Sequence, residues 1–118
     1  MNQTLPKRER LSGRTAISTL MKKGRWGVSG CLKYCVLAPG GDEVTRIMVS
    51  VSKRSFKRAV RRNLLKRRLR ESYRTQKELL GAAGPVDLMF VYNSKEILDY
   101  QVIHGDVANI LRTIAATI

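Results

Sequence analysis

The stretch from Lys53 to Arg74 holds eleven Lys and Arg and one acid, Glu71. It contains no Gly or Pro and is rich in Arg, Lys and Leu, so propensity predicts a helix from Ser52 to about Gln76, with Ser52 or Ser55 as N-cap. Arg58, Arg62, Lys66, Arg70 and Arg74 recur every fourth residue, a row that drifts only about 40° per step around a helix. Arg61, Arg67 and Arg68 widen the row, Leu65, Leu69 and Tyr73 supply a core-facing edge, and Val60 and Leu64 point elsewhere. Like charges at this spacing repel by a few tenths of a kcal/mol per pair, so an isolated helix would not choose it. An ordinary solvated face interleaves Glu with Lys, and this one has a single Glu. The pattern predicts a polyanionic partner.

The rest of the composition sharpens that expectation. The 118 residues carry 23 Lys and Arg against nine Asp and Glu, a net charge of +14, while 43% hydrophobic residues suffice for one domain with a modest core. From Leu79 to Ile118 there are two basic residues and four acids, so the charge is concentrated rather than spread, with a second basic group from Lys7 to Arg25. Acidic membrane and acidic protein are the competing partners. A DNA-reading helix would mix in Asn, Gln, Ser and Thr to address base edges, whereas this one is nearly all Arg and Lys and suits phosphates. The N-terminus has no apolar core for a secretory signal, and no apolar run approaches the ~20 residues of a membrane span, so a cytoplasmic protein is expected. Cys31 and Cys35 fall in a segment read as extended, where four residues span about 13 Å, beyond disulfide reach. No second pair or His cluster accompanies them as zinc ligands.

Along the chain, residues 1–13 are polar, basic and interrupted by Pro6, and are expected to form a mobile arm ahead of a single RNA-binding domain over 14–118. Arg14 to Lys23, with Ile17, Leu20 and Met21 at helical spacing, predicts a short amphipathic helix capped by Gly24. Cys31 to Ala38 predicts a strand, Pro39-Gly40-Gly41-Asp42 a turn, and Thr45 to Val51 the returning strand of a hairpin. Ser50 to Ser55 offers hydroxyls, cations and backbone N–H groups as a phosphate site at a helix N-terminus. Val86 to Tyr92 is apolar enough for a central strand. Ile103, Val107, Ile110, Leu111 and Ile114 mark a final helix from about Tyr100. The fold class is α+β, one sheet covered by helices.

No catalytic residues are expected in this chain. His104 is the lone histidine and lies far from the basic block, and the acids are scattered apart from Asp42-Glu43 at a turn. Phosphodiester hydrolysis needs a positioned base or a carboxylate-held metal pair, and neither pattern is present.

The run Val49-Ser-Val-Ser-Lys-Arg-Ser-Phe-Lys-Arg-Ala-Val-Arg-Arg-Asn-Leu-Leu-Lys-Arg-Arg-Leu-Arg-Glu closely resembles the signature of the bacterial ribonuclease P protein component. In that family a strand ending in Ser-Val-Ser-Lys-Lys or similar precedes Ala-Val-x-Arg-Asn-Arg-x-Lys-Arg-x-x-Arg-Glu. Ala59, Val60, Arg62, Asn63, Lys66, Arg67, Arg70 and Glu71 match in register, and Leu64 stands where the family has its second Arg. The segment Leu5 to Leu11 and the helix ending at Gly24 match in placement. The resemblance implies the order helix, three strands, helix, strand, helix, with a left-handed crossover. It also implies a subunit that binds a catalytic RNA and the 5′ leader of precursor tRNA. The RNA then performs the endonucleolytic cleavage, with Mg²⁺ held mainly by RNA phosphates. On that basis Lys53, Arg54, Arg58, Arg61, Arg62, Asn63, Lys66, Arg67, Arg70 and Arg74 are expected to bind RNA. Ile17, Met21 and Tyr34 are expected to line a leader cleft, where this chain has Ile and Met in place of the family's aromatics, which leaves Tyr34 and Trp26 as stacking candidates with Lys33 and Arg46 as nearby cations. The competing expectation is a non-enzymatic RNA-binding assembly protein, such as a small ribosomal protein, which accounts for charge and fold class but not for the match around Asn63.

Overall fold

The computed structural model describes residues 5–117. Helix α1 (Arg14–Lys23) leads into strands β1 (Arg25–Ser29), β2 (Leu32–Leu37) and β3 (Arg46–Ser50). Helix α2 (Ala59–Arg74) follows, then a 3₁₀ segment (Lys77–Ala83), strand β4 (Asp87–Tyr92) and helix α3 (Tyr100–Thr117). The order matches the expectation of helix, three strands, helix, strand, helix.

The sheet runs β1-β2-β4-β3. The hairpin expected between residues 31–38 and 45–51 is absent, because β4 lies between β2 and β3. β2 pairs antiparallel with β1 on one side and with β4 on the other. The true hairpin is β1–β2, turned at Gly30, whose φ of 55° favours glycine. The apolar strand β4, buried at Asp87, Leu88, Met89, Phe90 and Tyr92, gains most from the centre and leaves the edge to β3. β3 runs parallel to β4 and reaches it through α2, which is where the implied crossover falls.

Alternation along the strands divides the core between two faces. Leu32 and Val36 of β2, Ile47 and Val49 of β3, and Leu88, Phe90 and Tyr92 of β4 join Leu65, Leu69 and Tyr73 of α2 and the apolar stripe of α3. All five apolar positions expected on α3 are buried. On the opposite face Cys35 and Met89 meet Leu11 and Leu20, with Ile17, Leu37, Met48 and Val91 at the margin. Cys31 and Cys35 are free thiols in different clusters. Gly24 caps α1 with an ordinary φ of −74°; a Cβ there would come within 2.5 Å of Cys35 Sγ, so the glycine serves close approach of helix to strand.

The expected arm over residues 1–13 divides. Residues 1–4 lie outside the described residues, whereas Leu5 and Leu11 are core residues, 2% and 4% exposed. Arg10 forms a parallel bridge with Ile47, and Leu11 N–H donates to the Ile47 carbonyl at 2.7 Å. The segment thus covers the β3 edge, and apolar anchors at both ends dock what composition alone reads as mobile.

Candidate nucleic-acid interface

The basic helix begins at Ala59, seven residues later than Ser52, with Arg58 in extended conformation as an N-cap that makes no side-chain capping bond. Phe56 explains the delay. Its ring is 5% exposed and packs against Tyr92, centroids 5.8 Å apart, which pins residues 52–58 to the core as a loop. The phosphate site expected at Ser50–Ser55 is correspondingly altered. Arg54 N–H donates to Ser52 Oγ and Phe56 N–H to the Ser52 carbonyl, so neither is a free donor at a helix end.

Leu65, Leu69, Ser72 and Tyr73 form the buried stripe of α2. The cations around it fall into two groups. Arg62 donates through Nη1 to the carbonyls of Phe56 and Lys57, both at 2.8 Å, and so holds the loop against the helix. Arg68 donates to the Leu98 carbonyl, and Arg74 to the Glu71 carboxylate. By contrast, the side chains of Arg58, Arg61, Lys66, Arg67 and Arg70 have no hydrogen bond or ion pair among the described residues. The same holds for Lys53, Arg54 and Asn63. Arg58, Arg61, Asn63 and Arg67 are exposed, Lys66 and Arg70 half-buried. Burial and the neighbouring Arg10 guanidinium push Arg70 below its ordinary pKa.

Arg62→Ala should therefore weaken the fold as well as the charge. Two carbonyls lose a charged donor, which costs about 1–3 kcal/mol. The expected result is a lower melting temperature than for Lys66→Ala; equal melting temperatures would mean the loop does not depend on Arg62.

The face of the sheet that carries α1 offers a second surface. Strand pairing sets Trp26, Cys35, Met89 and Met48 in one row and Val28, Lys33, Val91 and Ser50 in the next. α1 covers only part of these rows. Trp26 is 41% exposed, Val28 65% and Met21 49%. Lys33 Nζ lies 5.0 Å from the centre of the Trp26 ring, a cation–π contact. Ile17 packs at the margin of this face and Met21 is exposed on α1, whereas Tyr34 lies elsewhere. It points to the other face, packed on the main core over Gly27, so a Cβ on Gly27 would meet its ring at 2.5 Å. Arg46, another cation on the α1 face, is committed to Asp87. Val28, Met48 and Val91 complete the surface with Lys33; period-two alternation from Trp26 is the sequence signal for Val28.

Four of the nine acids hold the structure together through their carboxylates. Asp87 accepts from Arg46 and Gly41 N–H, Glu71 from Arg74, Glu9 from Lys77 at 2.9 Å, and Asp106 from Cys31 N–H at 2.9 Å. No group of three or more His, Cys, Asp or Glu among the described residues could hold a metal ion. His104 is half-buried with its ring 5.4 Å from that of Tyr100. Among the described residues no helix is long and apolar enough to cross a membrane.

The chain matches the family model described as Ribonuclease P over residues 5–115, which takes in α1, the whole sheet and α2. It belongs to the ribonuclease P protein family. The ribonuclease P protein component of Porphyromonas gingivalis is 31% identical over 121 residues, covering 97% of this chain and 88% of that protein. That of Picosynechococcus is 32% identical over 92 residues and 78% of each. The fold is also that of the family's solved structures. The RNase P protein of Thermotoga maritima superposes with a TM-score of 0.77 at 23% identity, over 90% of this chain and 97% of that one. The Staphylococcus aureus RNase P protein gives 0.76 at 20% identity, over 89% and 94%. The residues that carried the sequence resemblance, from Ala59 to Glu71, all lie on α2.

Proposed function

We propose that the chain, a protein component of ribonuclease P, binds the catalytic RNA through α2 and the 5′ leader of precursor tRNA on the open sheet face beside α1. The observation that carries this reading is a set of five cations, Arg61, Lys66, Arg67 and Arg70 on α2 and Arg58 at its N-cap, that have no hydrogen bond or ion pair among the described residues. A folded protein leaves so many unpaired like charges on one helix at a cost in self-repulsion, and RNA phosphates offset it. Lys53 and Arg54, in the loop before α2, extend the same surface. Arg62 and Arg74 act here chiefly by shaping it. The carboxylates are scattered, and among the described residues no three His, Cys, Asp or Glu side chains gather as a metal site would need, so this reading assigns Mg²⁺ and the cleavage to the RNA.

At matched salt the chain should bind ribonuclease P RNA more tightly than a ribosomal RNA fragment of equal length. Equal affinities would favour a general RNA-assembly role. Leader contact rests on Trp26, Met21 and Ile17, with Lys33 as the nearby cation. Base–aromatic stacking contributes about 1–3 kcal/mol per base, so Trp26→Ala should reduce the preference of the holoenzyme for precursor tRNA over leaderless tRNA by roughly that much. An undiminished preference would place the leader elsewhere.

A further inference from the structure

A shallow groove of about 730 Å³ lies on the outer side of α2, lined by Val60, Arg61, Asn63, Leu64, Arg67 and Ile97. Its apolar members are unusually open for a soluble protein. Val60 is 71% exposed and Ile97, from the loop between β4 and α3, is 37% exposed, while Leu64 is half-buried between them. Arg61 and Arg67 flank this patch, and neither they nor Asn63 has a partner among the described residues. Leu64 is also the position at which the family pattern has an arginine, so this chain carries an apolar side chain where a further cation was expected.

We infer that the groove seats one unstacked nucleobase of the ribonuclease P RNA. Three features favour a base over other occupants. The groove is continuous with the unpaired cations of α2, so an RNA bound there runs across it. Arg61 and Arg67 are placed to hold the phosphates on either side of a base, and their planar guanidiniums can also stack on its ring. The Asn63 carboxamide presents both a donor and an acceptor, which is what the edge of a base requires. The aliphatic surface of Val60, Leu64 and Ile97 then receives the ring face. A helix or peptide partner would need an acidic sequence to satisfy the flanking arginines, and the adjoining surface is already addressed to RNA. The inference rests on the proposed role of α2 and deepens it, since it predicts a component of binding that salt does not screen.

The test is to titrate ribonuclease P RNA over a range of salt with the wild-type chain, Val60→Ser, Ile97→Ser, Arg67→Ala and Lys66→Ala, with base accessibility read by chemical modification of the RNA. Val60 and Ile97 are exposed, so their serine variants should keep the wild-type melting temperature. Val60→Ser should weaken binding about tenfold at every salt concentration without changing the slope, the signature of lost apolar contact. Arg67→Ala should instead make the slope shallower by about 0.7–0.9. At least one base should be protected by the wild type and become reactive with Val60→Ser. If Val60→Ser and Ile97→Ser bind as tightly as wild type while Lys66→Ala is weakened, the helix is the RNA interface and the groove is not a base site. If none of the four variants binds more weakly, the reading of α2 fails with it. A serine variant that alters the salt slope, or no base whose protection depends on Val60, also overturns the inference.

Discussion

Raising monovalent salt from 50 to 200 mM should weaken binding of the chain to ribonuclease P RNA by about a hundredfold to several hundredfold. Four α2 cations and the N-cap Arg58 have no hydrogen bond or ion pair among the described residues. If each neutralises one phosphate, log affinity falls with log salt at a slope of roughly −3.5 to −4.5, because each contact releases about 0.7–0.9 of a condensed counterion. Arg62 and Arg74 lie on the same helix but already serve Phe56, Lys57 and Glu71, so they add less to the slope than their charges suggest. Combining Lys66→Ala with Arg67→Ala should make the slope shallower by about 1.4–1.8. A wild-type slope shallower than about −1 would show that α2 does not meet the RNA backbone.

Asp87→Ala should destabilise the fold by about 3–5 kcal/mol, the usual cost of leaving one member of a buried charge pair alone. Asp87 is 3% exposed at the start of the central strand. Its Oδ1 accepts from Arg46 Nε at 3.0 Å, and its Oδ2 from Arg46 Nη2 at 2.9 Å and from Gly41 N–H at 3.1 Å. One carboxylate therefore joins β4 to β3 and to the turn after β2. Replacing both partners, as in Asp87→Leu with Arg46→Met, should recover much of the loss, because no orphaned charge remains. Denaturant melts measure both variants. A loss below about 1 kcal/mol in Asp87→Ala would mean that the pair is solvated and does not hold the sheet together.

Elements whose signal is local were legible in the sequence. Helix α1 spans the residues its 3.6-residue spacing indicated, and β4 is central because an almost wholly apolar strand needs cover on both faces. Strand partners were not legible. Residues 45–51 follow a strong turn and look like a returning strand, yet the β2 partner on that side is β4, some forty residues further on. The start of α2 was hidden for a similar reason. Residues 52–58 are compatible with a helix, and only the burial of Phe56 beside Tyr92, a long-range contact, makes them a loop. The candidate site divides in the same way. The basic helix could be found from spacing alone, but not which of its arginines are free. Arg62 is occupied by two backbone carbonyls that composition cannot show. Tyr34 was a matter of parity: the sheet register turns it to the α2 and α3 side, and Trp26 and Lys33 occupy the surface assigned to it.

The most direct measurement is removal of the 5′ leader from precursor tRNA at low Mg²⁺, comparing the chain alone, ribonuclease P RNA alone, and both together. Leader removal should be undetectable with the chain alone, slow with the RNA alone and fast with both. Lys66→Ala combined with Arg67→Ala should bring the combined reaction back toward the rate of the RNA alone. Cleavage by the chain alone would contradict the account by placing the chemistry in the protein. A combined rate no faster than that of the RNA alone would contradict it by removing the chain from the reaction.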